Sequence, residues 1–168
     1  MRHVFTYGSL MFARVWSGIV RGRYPAAAAA LPGFVRQRVR GQDYPSLDRQ
    51  ASRAAEGVSP VVEGVLYFGV HDSDLSLLDA FEGSDYRRIT VEVVLQEPLP
   101  AGQADGHAAG PALGSGIGSA LAADTYLFIA REKVEPGPWD PQRFERERMD
   151  RFLRDFPPPP DRGGTAPG

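Results

Sequence analysis

The chain has 168 residues, 42% of them hydrophobic and 24% charged, and its 19 basic and 21 acidic residues leave a formal charge of −2. That is enough for one globular domain with a single core, and it lacks the clustered positive charge of a nucleic-acid or anionic-membrane binder. There is no cysteine, which excludes disulfides, thiolate catalysis and cysteine-ligated metals.

The first strand is expected at His3–Tyr7, with no apolar leader before it. No later run approaches the roughly 18 apolar residues of a membrane span, so the expected setting is the cytoplasm. Gly8 and Ser9 interrupt the strand, and a helix is expected over Met11–Val20. The run Ala26–Ala30 reads equally as a helical turn or a strand edge. A strand follows at Leu31–Val39, with Tyr44 and Pro45 in the loop after it. Val61–Val70 is apolar on both faces apart from Glu63 and reads as a central strand, with Gly64 and Gly69 as bends that curl a sheet.

Asp72 or Ser73 is expected to cap a short helix carrying Leu75, Leu77, Leu78 and Phe81, which Gly83 stops. In the strand Arg88–Leu95, Ile89, Val91, Val93 and Leu95 share one face. The stretch 100–124 is rich in Gly and Ala without a period and reads as an oversized hairpin loop before a strand at Thr125–Ala130. Asp140 caps a last helix with Pro141 at its first position and an apolar stripe of Phe144, Met149, Phe152, Leu153 and Phe156. From Pro157 a Pro-rich tail, 157–168, is expected to be disordered, which leaves one domain over 1–156. Short bent strands that outnumber the helices predict an α+β fold, a small bent or closed mixed β-barrel with flanking helices.

Two stretches carry candidate chemistry. Glu82 ends an apolar helix, where the partial negative charge of the helix terminus disfavours a carboxylate. If it is also shielded from water, its proton affinity rises toward neutrality, as a general acid/base requires. Read alone, it is more simply an exposed glutamate that tolerates a poor position, with Asp85 and Arg87 near enough for an ordinary surface pair. The turn after the first strand is either a plain turn or a nest in which the N–H groups of Gly8, Ser9 and Leu10 hold an anion, with Tyr7 beside them. In the second reading the missing Cβ of Gly8 allows close approach. Tyr86 and Tyr126 sit where a hydroxyl could enter a barrel mouth, or serve as core or rim aromatics. Ser9 has no base beside it in sequence, and His3, His71 and His107 lack ligand spacing. No metal or cofactor is expected.

Taken together, "YGSL" at 7–10, "LPGF" at 31–34 and "FEGSDYRR" at 81–88 resemble the γ-glutamylcyclotransferase-like family, in its AIG2-like branch. The resemblance spans Arg2 to Glu132, without the loop from Pro100 or the tail. It implies a small β-barrel with flanking helices and a small-molecule γ-glutamyl substrate, cyclised to 5-oxoproline with release of an amine or amino acid. It also implies Glu82 as the single acid/base, the Gly8–Leu10 turn as the holder of a carboxylate or oxyanion, and Tyr44-Pro45 against the substrate. No nucleophilic side chain is needed, because the nucleophile is the substrate's own amine. The alternative is a non-catalytic carboxylate-binding protein of the same fold, which would have no use for a carboxylate at the helix end.

Overall fold

Short apolar strands bent by glycine cannot make a wide flat sheet, and in the computed structural model they close on themselves. Residues 1–50, 60–98 and 117–157 are described. The tail from 158 and the loop positions 99–116 lie outside them. The strands are β1 (Arg2–Thr6), β2 (Ala26–Pro32), β3 (Phe34–Val39), β4 (Pro45–Arg49), β5 (Val61–Val70), β6 (Tyr86–Leu95), β7 (Ala120–Phe128) and β8 (Val134–Pro138). The helices are α1 (Ala13–Ile19), α2 (Asp72–Glu82) and α3 (Pro141–Arg143), which runs through a π-helical stretch, Phe144–Arg148, into α4 (Met149–Asp155).

Five strands form a closed barrel in the order β1-β5-β2-β6-β7, and β4-β3-β8 form a second, antiparallel sheet. Every barrel pairing is antiparallel except the seam, where β1 and β7 run parallel at Val4 and Asp124. The expected α+β barrel with flanking helices is therefore the observed architecture. β5 is central, paired on both sides. A Cβ on its Gly64 would strike the Thr6 carbonyl and the Phe5 ring.

Several boundaries depart from the sequence reading. The expected strand 31–39 is two strands in different sheets, broken at Gly33 with φ +79°. The alanine run is strand, because β2 lies between β5 and β6 and their ladders fix its conformation. Residues 120–124 of the expected loop extend β7, because β6 offers partners as far as Val94. β4 and β8 went unread: β8 (VEPGP) has a proline and glycine content that only an edge strand tolerates, and it sits at a sheet edge. α1 starts at Ala13, after a 3-10 turn at Ser9–Met11. His71 occupies the N-cap of α2, not Asp72 or Ser73. Asp140 caps α3 as expected, accepting from the N–H groups of Gln142 and Arg143.

Two apolar clusters hold the molecule together. One draws Phe5, Ala29, Leu66, Val93 and Ala123 from the five barrel strands. The other joins the barrel's outer face (Val4, Tyr67, Val70, Tyr126) to the helices through Trp16, Leu78, Phe144 and Phe152. Trp16 of α1 stacks on Tyr67 of β5, with ring centroids 3.6 Å apart.

Asp74 of α2 is buried and fastens the segment after α1. It accepts hydrogen bonds from the N–H groups of Arg21 (3.0 Å) and Gly22 (2.9 Å) and from the Tyr24 hydroxyl (2.5 Å). Burial pushes its carboxyl upward, but these donors outweigh burial and hold it below the ordinary value. A depressed carboxyl stabilises the fold above its unfolded pKa and loses that contribution as pH falls through the folded one. Asp74→Ala leaves these donors without their acceptor and should cost on the order of 3 kcal/mol. Urea unfolding at pH 7 and pH 3 should show the variant's deficit shrinking at the lower pH.

Candidate functional site

At the barrel mouth β1 runs out at Thr6, and Tyr7 leads into the turn. The Ser9–Met11 turn closes with the Met11 N–H on the Gly8 carbonyl (3.0 Å). The first N–H groups of such a turn have no acceptor within it. Arg36 of β3 secures the turn from behind, donating to the Tyr7 carbonyl (2.7 Å) while its guanidinium lies 5.2 Å from the centroid of Trp139. Facing the turn is the last turn of α2, where Glu82 precedes Gly83 at φ +69°.

Between them lies a cavity of about 400 Å³. Tyr7, Gly8, Ser9, Leu10, Tyr44, Pro45, Glu82, Tyr86 and Tyr126, the residues singled out from the sequence, all line it. Their parts differ from expectation in two respects. The space beside Gly8 is taken by protein: a Cβ there would come within 2.9 Å of Pro45 Cγ and Cδ. The bare Cα thus lets the turn pack on β4, whose first residue is Pro45. The tyrosine hydroxyls are also committed. Tyr7 donates to the Tyr126 carbonyl (2.6 Å), Tyr86 to the Pro45 carbonyl (2.6 Å) and Tyr126 to Asp79 Oδ1 (2.8 Å). Burial first, then the Glu82 charge, pushes the Tyr7 hydroxyl well above its usual range, so it stays neutral. These three rings frame the cavity by tying its walls together.

Glu82 is different. Burial chiefly, and Asp79 one helical turn earlier, raise its carboxyl to about 8, and no hydrogen bond from a described residue draws it back. Asp79 is itself engaged by Arg88, 3.0 Å from Nε, and Arg88 Nη1 reaches Asp124 at 3.2 Å. A second, polar cavity of about 460 Å³ opens on that side and shares Glu82 with the first. The outer wall of the first cavity is aromatic, from Tyr44, Phe81, Phe152 and Phe156, and its rim carries Lys133 paired with Asp85 at 2.6 Å.

Sequence reasoning missed Arg36, Asp79, Lys133, Phe152 and Phe156 as parts of the site. Asp79 was legible, three residues before Glu82 on the same helical face. The others arrive from distant segments. Among the described residues no group of three or more His, Asp or Glu is placed to hold a metal ion, and no helix is long and apolar enough to cross a membrane.

A family model described as "Gamma-glutamyl cyclotransferase, AIG2-like" matches residues 4–141. AIG2-like protein D of Arabidopsis thaliana is 28% identical over 155 residues, covering 92% of this chain and 86% of that protein. A solution structure of an Arabidopsis thaliana protein, 28% identical, superposes with a TM-score of 0.57 over 92% of this chain and 87% of its own. A structure titled gamma-glutamyl cyclotransferase shares the fold at 18% identity, with a TM-score of 0.57 over 98% of this chain and 93% of its own.

Proposed function

The chain belongs to the gamma-glutamyl cyclotransferase, AIG2-like family, and from that membership we propose that it cyclises a γ-glutamyl amine or amino acid to 5-oxoproline. The observation that carries the reading is the Glu82 carboxyl: it lines the cavity, is raised to about 8, and has no protein hydrogen bond from a described residue. A carboxyl poised near neutrality can both take and return a proton. A protein that only bound carboxylates would gain nothing from such a group.

The substrate enters with its α-amine as an ammonium ion. Glu82 takes one proton, and the freed nitrogen attacks the γ-carbonyl carbon, forming the lactam C–N bond. The oxyanion that develops lies toward the N–H groups of the Gly8–Leu10 turn. Glu82 passes its proton to the leaving nitrogen as the original amide C–N bond breaks. The second ammonium proton follows the same route. The products are 5-oxoproline and a protonated amine, with no net change in protons. Amine and γ-carbonyl are already joined in one molecule, so the cavity's contribution is to hold the chain curled with the two reacting atoms in line.

The test is 5-oxoproline release from a panel of γ-glutamyl amines and amino acids, followed across pH. The reactant pair is the ionised Glu82 and the substrate ammonium, so Glu82 sets the acid limb and the substrate amine the alkaline limb. Below about pH 8, kcat/KM should fall about tenfold per pH unit. An ordinary glutamate, titrating near about 4.3, would leave the profile flat from pH 5 to 8. A flat profile would mean that the base does not titrate at about 8 as the raised Glu82 carboxyl does, and no 5-oxoproline from any compound would leave the carboxylate-binding alternative.

A further inference from the structure

The cavity is asymmetric. One side holds Glu82 and the backbone turn, and the other holds four aromatic rings from three separate segments: Tyr44 before β4, Phe81 in the last turn of α2, and Phe152 and Phe156 at the end of α4. Their centroids lie 4.8–6.3 Å apart, with Phe156 in contact range of the other three. Phe152 is buried, but Tyr44 and Phe81 are only half-buried and Phe156 is 40% exposed. Apolar surface thus remains open at the mouth of a cavity whose deep end is polar. The last two rings also lie beyond residue 141, where the family match ends.

A γ-glutamyl group is a short zwitterion and offers little for an aromatic wall to bind. The wall therefore faces the other half of the substrate. Charge narrows the choice further. The acidic and lysine side chains among the described lining residues are Glu82, Asp85 and Lys133, and Lys133 is already paired with Asp85. A carboxylate on the leaving group would find no unpaired lysine or arginine there, and the one side chain of the three left unpaired is the acidic Glu82, which must be ionised to act.

Resting on the cyclotransferase reading above, we propose that the leaving group is an apolar amine, best an aromatic one, that carries no carboxylate and packs against Tyr44, Phe81, Phe152 and Phe156. The substrate class is then γ-glutamyl arylalkylamines and related γ-glutamyl amides, rather than γ-glutamyl amino acids.

Three compounds separate the possibilities: γ-glutamyl-2-phenylethylamide, γ-glutamylethylamide, and γ-glutamylphenylalanine, which has the ring plus a carboxylate. The phenylethylamide should exceed each of the others in kcat/KM by about tenfold or more. Phe156→Ser should compress its advantage over the ethylamide to about threefold or less, while Phe156→Tyr preserves it, with thermal melting to confirm that both variants fold. Equal efficiencies, or γ-glutamylphenylalanine as the best substrate, would overturn the proposal. If none of the three yields 5-oxoproline, the reaction fails and the wall is judged separately by equilibrium binding. The same order in Kd then upholds it, and equal Kd values overturn it.

Discussion

Glu82→Gln should lower turnover of any γ-glutamyl substrate by about 10²–10⁴-fold, with much smaller change in substrate affinity. The amide is nearly isosteric and still hydrogen-bonds, so the cavity keeps its shape, but it cannot exchange a proton near neutral pH, and both transfers in the proposed cyclisation run through this one group. The same substitution should leave the fold as stable or more so. Glu82 is the last residue of α2, which has no basic residue in its final turn, so nothing at that helix end compensates its ionised form and the neutral amide gives up no favourable contact. The sign of the pH dependence follows from the raised carboxyl. The folded state holds its proton to about pH 8, while the unfolded chain releases it near about 4.3, so folding is disfavoured progressively as pH rises between the two. The variant's melting temperature should therefore gain on the parent's from pH 5 to pH 8. Wild-type turnover by Glu82→Gln would end the proposed mechanism.

Gly8→Val should abolish activity, with a loss of at least about 100-fold, because displacements near 1 Å at a reacting site cost that much. The first carbon of the new side chain would lie within 2.9 Å of Pro45 Cγ and Cδ, and a proline ring cannot swing aside. Pro45 must move with its strand, and its carbonyl holds the Tyr86 hydroxyl at 2.6 Å. One substitution therefore disturbs the turn, β4 and a cavity-framing tyrosine together. Overpacking of this kind costs about 1–3 kcal/mol of stability, which circular dichroism and thermal melting will show to be short of unfolding. Since φ at Gly8 is −125°, strain of the left-handed region plays no part. The double variant Gly8→Ala, Pro45→Ala removes the colliding ring atoms and should recover more activity than Gly8→Ala alone, a coupling that a mutant cycle reads directly. Normal turnover by a folded Gly8→Val variant would dismiss the contact.

These expectations rest on residues of unequal legibility. Glu82 could be singled out because a carboxylate beside a helix-stopping glycine is locally unfavourable, and such a conflict needs no tertiary knowledge to notice. Gly8 could be singled out because it interrupts a strand, but the ring its bare Cα makes room for, Pro45, stands 37 residues further on and is not legible locally. The tyrosines line one cavity, as their strand positions suggest, yet which carbonyl or carboxylate each hydroxyl meets depends on strands that pair across the whole chain.

Short-range chemistry was decided by sequence alone: the barrel class from bent and alternating strands, the cap at Asp140, the stop at Gly83, and the buried face of β6. Tertiary structure decided whatever needed two distant segments to meet. The alanine run became a strand only because β5 and β6 flank it, and β8 exists only because β3 accepts it at an edge. Arg36 reaches the turn from another sheet, and Phe156 reaches the cavity from the end of the last helix. Local propensities are worth tenths of a kilocalorie per residue, whereas ladder pairing and burial act over many residues at once. Where the two compete, the neighbours in space prevail. The acid could be read from its own helix, but its proton affinity, its second carboxylate and its aromatic wall came into being only when the barrel closed.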